Sequence, residues 1–207
     1  MKRHLLSLTT GLLLMTSVLA GETVFAREYE VTVTNLTRGQ TFTPILVASH
    51  KEGASLLTLG NPASSELAIL AEEGNTAPLT SLLSGMADVK DVADSGALLN
   101  PGASVTVSVQ AGGKFDHVSV AAMLIPTNDG FFALNGVMGP TGDKRLTFFS
   151  VAYDSGSERN DELCASIPGP NFVECGGPGG GAVVVGGEEG YVHYSCRDSR
   201  HWESERK

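Results

Sequence analysis

The sequence predicts a mainly β domain built as an antiparallel β-sandwich. Three observations carry this reading. Apolar residues alternate with polar ones in several short segments. Glycine-rich turns separate those segments. A helical pattern interrupts them in one region, between the second and third β segments.

The first segment, REYEVTVTNLT (27–37), sets Tyr29, Val31 and Val33 against Glu28, Glu30, Thr32 and Thr34, the period of a half-buried strand. FTPILVASH (42–50), SVTVSVQA (104–111), DHVSVAAMLIPT (116–127) and LTFFSVAYD (146–154) read likewise, and FFALNGV (131–137) is a shorter apolar strand. Turn chemistry lies between them at Thr37-Arg38-Gly39-Gln40, Asn100-Pro101-Gly102, Ala111-Gly112-Gly113 and Gly139-Pro140-Thr141-Gly142. The helical insertion occupies about 61–90. Asn61-Pro62 opens it, Leu67, Leu70 and Ala71 share one face, and Gly74 sits where a C-cap belongs. A second short helix runs from Pro78 to about Gly85, and both helices are expected to decorate one end of the β domain. Residues 176–190, GGPGGGAVVVGGEEG, are a glycine-rich loop whose ordering entropy few side chains offset, so mobility is expected there.

Residues 1–26 carry the marks of a secretory signal peptide: Lys2 and Arg3, an apolar run from Leu5 to about Leu19, and Val24-Phe25-Ala26 as a small-residue cleavage site, with Val18-Leu19-Ala20 as the rival. No later stretch approaches the ~20 apolar residues of a membrane span. The expectation is a secreted or periplasmic protein. Cleavage after Ala26 leaves 181 of the 207 residues, one domain by length. The formal charge of −9 repels phosphate backbones, and without a basic stripe nucleic acid is excluded as a partner. Three cysteines in an oxidising compartment leave one unpaired: Cys164 and Cys175 flank a Pro/Gly loop and read as a local disulfide, and Cys196 stands alone.

Catalytic signatures are missing. No nucleophile elbow G-x-S-x-G, no H-E-x-x-H, no P-loop and no G-x-G-x-x-G occurs. His50 ends an apolar strand and reads as a hydrogen-bonded structural residue, and His117 beside Asp116 reads as solvated. A hard cation is better served. Ca2+ takes six to eight oxygens, best supplied by carboxylates and carbonyls of loops. In Asp154-Ser155-Gly156-Ser157-Glu158 two carboxylates lie four apart around a glycine. This is no EF-hand, since counting from Asp154 puts Arg159 at position 6 and Ala165 at position 12. Spacing alone leaves a cation site and a solvated acidic turn both open.

A second loop adds to it: TNDGFFALNGV (127–137) places Asn128 and Asp129 before two phenylalanines. With Asp129-Gly130-Phe131-Phe132 and Tyr153-Asp154-Ser155-Gly156-Ser157-Glu158, together with TFTPILVASH and NDELCASIPGP, the chain resembles the spondin N-terminal domain family over roughly 28–193. That resemblance implies a C2-like β-sandwich that binds Ca2+ between loops at one end. It implies a noncatalytic role in extracellular recognition or adhesion, toward a protein or glycan ligand that the sequence does not name. Matching positions carry Asp129, Asp154 and Glu158 over as metal ligands, with Asn128, Asn135 and Asp161 as further oxygens or as turn residues. Gly130 departs from the family's bulky aromatic and Ser155 from its alanine. Other classes stay open: a metal-dependent hydrolase using His50 or His193 with the acidic loops, or a calcium-free structural domain.

After Tyr191-Val192-His193 the strand pattern gives way to a polar string, and residues 194–207 read as an aberrant, frameshifted tail. The family continues here with a His/Gly-rich stretch and a core strand, and a one-nucleotide shift of the possible codons permits a matching peptide. The domain, 27–193, would then lack its last strand. An exposed sheet edge, uncovered apolar core and association between chains are the expected consequences.

Overall fold

The computed structural model describes residues 27–161, 163–169 and 186–195. Residues 1–26, where a signal peptide is expected, Glu162, Cys175, most of the glycine-rich loop and the tail from Cys196 fall outside the described residues. The expected Cys164–Cys175 pairing therefore falls outside them too.

Strand β1 (Arg27–Thr34) pairs antiparallel with β5 (Ser104–Ala111) over its whole length, Arg27 opposite Ala111 and Thr34 opposite Ser104. These two strands form one sheet. The second is a seven-stranded antiparallel sheet of β2 (Thr41–Phe42), β3 (Leu46–His50), β4 (Val89–Asp94), β6 (His117–Ile125), β7 (Gly130–Met138), β8 (Ala152–Asp154) and β9 (His193–Tyr194). Its order is β4-β3-β6-β7-β8-β9, with β2 paired to β6. Both sheets are open.

The expected strand 42–50 is split in two because Pro44 has no N–H to give a ladder. The insertion forms α1 (Ser65–Glu73) and α2 (Ala77–Ser84). Ser64 caps α1 by accepting from the Leu67 N–H, and Gly74 ends it with φ 68°.

Two apolar layers hold the fold together. Tyr29, Val107 and Val109 of the small sheet pack on Val47, Val118, Val120 and Phe132 of the large one and on Ile45 just before β3. On the opposite face, Leu46, Ala48, Ala121, Phe131 and Ala133 meet Leu67, Leu70 and Ala71 of α1 and Leu79 and Leu83 of α2. The helices therefore cover a face of the sheet, not one end of the domain. That burial on both sides explains why β3 and β6 read as nearly continuous apolar runs. Strand β4, VKDVAD, escapes sequence reading for the opposite reason. It is an edge strand studded with Lys90, Asp91 and Asp94, charges that discourage further pairing.

The segment LTFFSVAYD behaves differently from its pattern. Only Ala152–Asp154 pair, with Gly130–Phe132. Leu146, Phe148, Phe149 and Val151 lie exposed, Phe149 at 82%. Alternation supplies an apolar face, but a strand also needs a neighbour for its N–H and C=O groups. Among the described residues, β1 has β5 as its sole partner. Between β1 and residues 142–152 runs a cleft of about 1020 Å3 floored by Val118, Val120 and Phe132. Such apolar exposure favours association. Sedimentation velocity is expected to show concentration-dependent self-association that Phe149→Asp reduces.

Candidate metal site

Two turns meet at one tip of the large sheet. The first closes on Thr127, whose Oγ1 donates to the Leu124 carbonyl at 2.6 Å and accepts from the Gly130 N–H at 3.0 Å. A Cβ at position 130 would run into the Thr127 side chain, which accounts for glycine there. Asn128 and Asp129 are thereby held inside, 1% and 0% exposed. The second turn follows β8. Because Gly130 pairs with Asp154, the ladder itself sets Asp129 beside the 154–158 turn.

Asp129 organises that turn as an internal anion. Its Oδ2 accepts from Ser155 Oγ at 2.8 Å, from the Ser157 N–H at 2.9 Å and from the Glu158 N–H at 3.1 Å. Its Oδ1 is buried and has no hydrogen-bond partner, and the same holds for Oδ1 of Asn128. Asp154 is also buried: Oδ1 accepts from the Gly156 N–H at 2.9 Å and Oδ2 from Asn160 Nδ2 at 2.8 Å. Glu158 is 3% exposed. Gly156 has φ 65°, and a Cβ there would collide with the Tyr191 backbone, so the 186–195 segment lies directly on this turn. The Gly190 N–H donates to the Gly156 carbonyl at 2.8 Å.

Electrostatically the tip crowds acids together. Burial raises the Asp129 carboxyl above the usual carboxylate range, and the charge of Asp154 adds to it, against the N–H and O–H donors on Oδ2. Glu72 of α1 is raised as well, mainly by burial, with Asp129 and Glu73 contributing and a Ser157 hydrogen bond opposing. Carboxylates that raise one another's proton affinity are the groups a divalent ion would stabilise.

Asp129, Asp154, Glu158 and Asn128 are thus brought together. Asp161 sits beside them, but its carboxylate accepts from the Leu163 N–H, Ser166 Oγ and Asn128 Nδ2, which hold it below the usual range as a turn anchor. Asn135 is elsewhere. It lies six residues along β7 from Asp129, roughly 20 Å at strand rise, and its amide is spent on Leu56 N and the Leu57 carbonyl. Sequence reading missed Glu72 and Glu189, and it joined His193 to the acidic loops only in the hydrolase alternative. Glu72 depends on which way α1 lies, and Glu189 and His193 depend on a chain return after a long glycine-rich loop. Neither leaves a local signal.

Among the described residues, the other histidines are His50 and His117, and both are hydrogen-bonded. His50 is buried, with Nδ1 on the Lys51 carbonyl at 2.8 Å and Nε2 on Ser119 Oγ at 2.8 Å. His117, expected in solvent, is 9% exposed because it faces His50 across β3 and β6 and bonds Asp116. Burial lowers the His50 imidazole from its ordinary value, His117 lowers it further, and the Lys51 carbonyl opposes. A lowered folded value means the unfolded chain binds the proton first. Stability is therefore expected to fall as pH drops below about 6.5, through the window down to the depressed folded value. Denaturant unfolding at pH 7.5 and 5.5 checks this, and His50→Gln should flatten the slope.

The family model described as Spondin_N matches residues 15–138. The chain belongs to the Spondin_N family. This match takes in β1 to β7 and the Asn128-Asp129 turn of the spondin domain, and it stops before the 154–158 turn. No curated protein matches the chain. Among the described residues of this spondin domain, no helix is long and apolar enough to cross a membrane.

Proposed function

We propose that this spondin domain is an exported, noncatalytic recognition or adhesion module that binds Ca2+ at the tip where β7 begins and β8 ends. One observation carries the reading: a wholly buried carboxylate oxygen, Oδ1 of Asp129, has no partner and lies against a second acid, Asp154. Buried polar atoms are normally satisfied, and an orphan of this kind marks where a ligand would sit. Oxygen donors suit a hard cation. Asp129, Asp154 and Glu158 would hold the ion, with Asn128 Oδ1 available as a fourth oxygen. The ion would relieve repulsion among the acids and stiffen the loops into a surface for an extracellular protein or glycan. Kd is expected on the order of 10⁻⁴–10⁻³ M, as for other extracellular modules. Thermal unfolding in chelator and in millimolar Ca2+ tests the site; an identical melting temperature in both would exclude it.

A further inference from the structure

We propose a second, chemically different metal site on the outer side of this tip, in which His193, Asp154 and Glu189 take a borderline transition ion such as Zn2+. One ligand atom from each of these three side chains lies within 4.8 Å of the other two. His193 Nε2 stands 3.5 Å from Asp154 Oδ1. Ligands about 2.1 Å from a tetrahedral zinc are separated from one another by about 3.4 Å. The imidazole and the carboxylate therefore already stand at the spacing of two ligands on one zinc ion, and Glu189 needs to close in by at most about 1.4 Å on the same scale.

The tautomer argues for a ligand independently of the cluster. His193 Nδ1 faces the Tyr194 carbonyl at 3.0 Å, and a carbonyl only accepts, so Nδ1 carries the hydrogen. In the neutral ring Nε2 is then a lone pair. That atom is buried without a hydrogen-bond partner, and what it faces is another acceptor. Two acceptors turned toward each other call for either a proton or a metal ion between them, and the Glu189 oxygen beside them, a third acceptor, suits the metal. Each ligand is also steadied from behind, as at histidine–carboxylate metal sites. The Tyr194 carbonyl holds His193, the Gly156 N–H holds Asp154, and the Asn160 amide bridges Asp154 Oδ2 at 2.8 Å and Glu189 Oε1 at 3.4 Å. Glu189 is exposed, which leaves an entry path and room for a water as fourth ligand. An imidazole ligand selects Zn2+, Co2+, Ni2+ or Cu2+ over Ca2+.

This site does not rest on the calcium reading, and the two separate experimentally. Purified full chain is titrated with Co2+, followed by its visible absorption, and with Zn2+ by calorimetry; Ca2+ response is read by thermal unfolding. Expected are one ion per chain with the intense tetrahedral Co2+ spectrum, lost in His193→Ala and weakened in Glu189→Gln. Asn160→Ala should weaken binding about 10–100-fold. His193→Ala should keep the melting behaviour in Ca2+, and Asp129→Asn should keep the Co2+ spectrum. Glu189 is on the surface, so its variant reports on the site even if His193→Ala misfolds. The assignment is overturned if Co2+ and Zn2+ do not bind, which leaves a His193–Asp154 ion pair. Binding that survives both His193→Ala and Glu189→Gln would also overturn it, as would binding abolished by Cys196→Ser alone.

Discussion

Replacing Asp129 with asparagine is expected to stabilise the ion-free protein at neutral pH while erasing its response to Ca2+. The carboxyl of Asp129 binds its proton more tightly in the folded chain than in the unfolded one, through burial and the charge of Asp154. A raised folded value gives stability that is complete below the unfolded value and is lost as pH rises through the folded one. At neutral pH the ionised side chain therefore works against the fold. Asparagine keeps an oxygen for the Ser155, Ser157 and Glu158 donors. Its amide can donate where Oδ1 has no partner. The same exchange removes the anionic oxygen a hard cation requires. For the parent chain, 10 mM Ca2+ with a Kd of about 0.1–1 mM adds roughly 1.4–2.7 kcal/mol, on the order of 3–10 °C in melting temperature. Melting curves of both proteins in chelator and in Ca2+ decide it. A variant that melts lower than the parent in chelator would contradict the electrostatic account.

Phe131→Ala is expected to be the most damaging single change near the tip, at about 3–5 kcal/mol. Phe131 is fully buried between the large sheet and the helices. It stacks on Tyr153 at 5.6 Å between ring centres, and Tyr153 stacks on Tyr194 at 5.4 Å. Those rings run across β7, β8 and β9, so the cavity left by alanine would loosen the strand ends that carry Asp154 and His193. Against a typical total of 5–15 kcal/mol this is a large share. Guanidinium unfolding should show the midpoint fall with an unchanged slope. Phe149→Ala is the matched control. The same residue type stands 82% exposed there, and the cost should stay within about 0.5 kcal/mol.

What each stretch of sequence disclosed depended on how local its signal was. SVTVSVQA became β5 residue for residue, because one of its faces meets the core and the other meets water. Gly74 marked the end of α1 for a similarly local reason, whereas the helix starts after the Ser64 cap and not at the expected Asn61-Pro62. LTFFSVAYD had the same alternation and remained mostly unpaired, since a strand is completed by its neighbours and not by its own pattern. Asn135 looked as usable as Asn128 until the ladder set one at the tip and the other well along the strand.

The sequence by itself determined the β architecture, the helical insertion, and the two acidic turns around Asp129 and Asp154, since periodicity, capping and turn chemistry are properties of neighbouring residues. Tertiary structure alone decided that those turns share one tip, that Glu72 joins them, that Asn135 does not, and that His193 and Glu189 return to Asp154. Each of these is a contact between residues far apart in the chain. Such contacts follow from strand register and from the direction a helix takes across the sheet, which no local pattern of residues records.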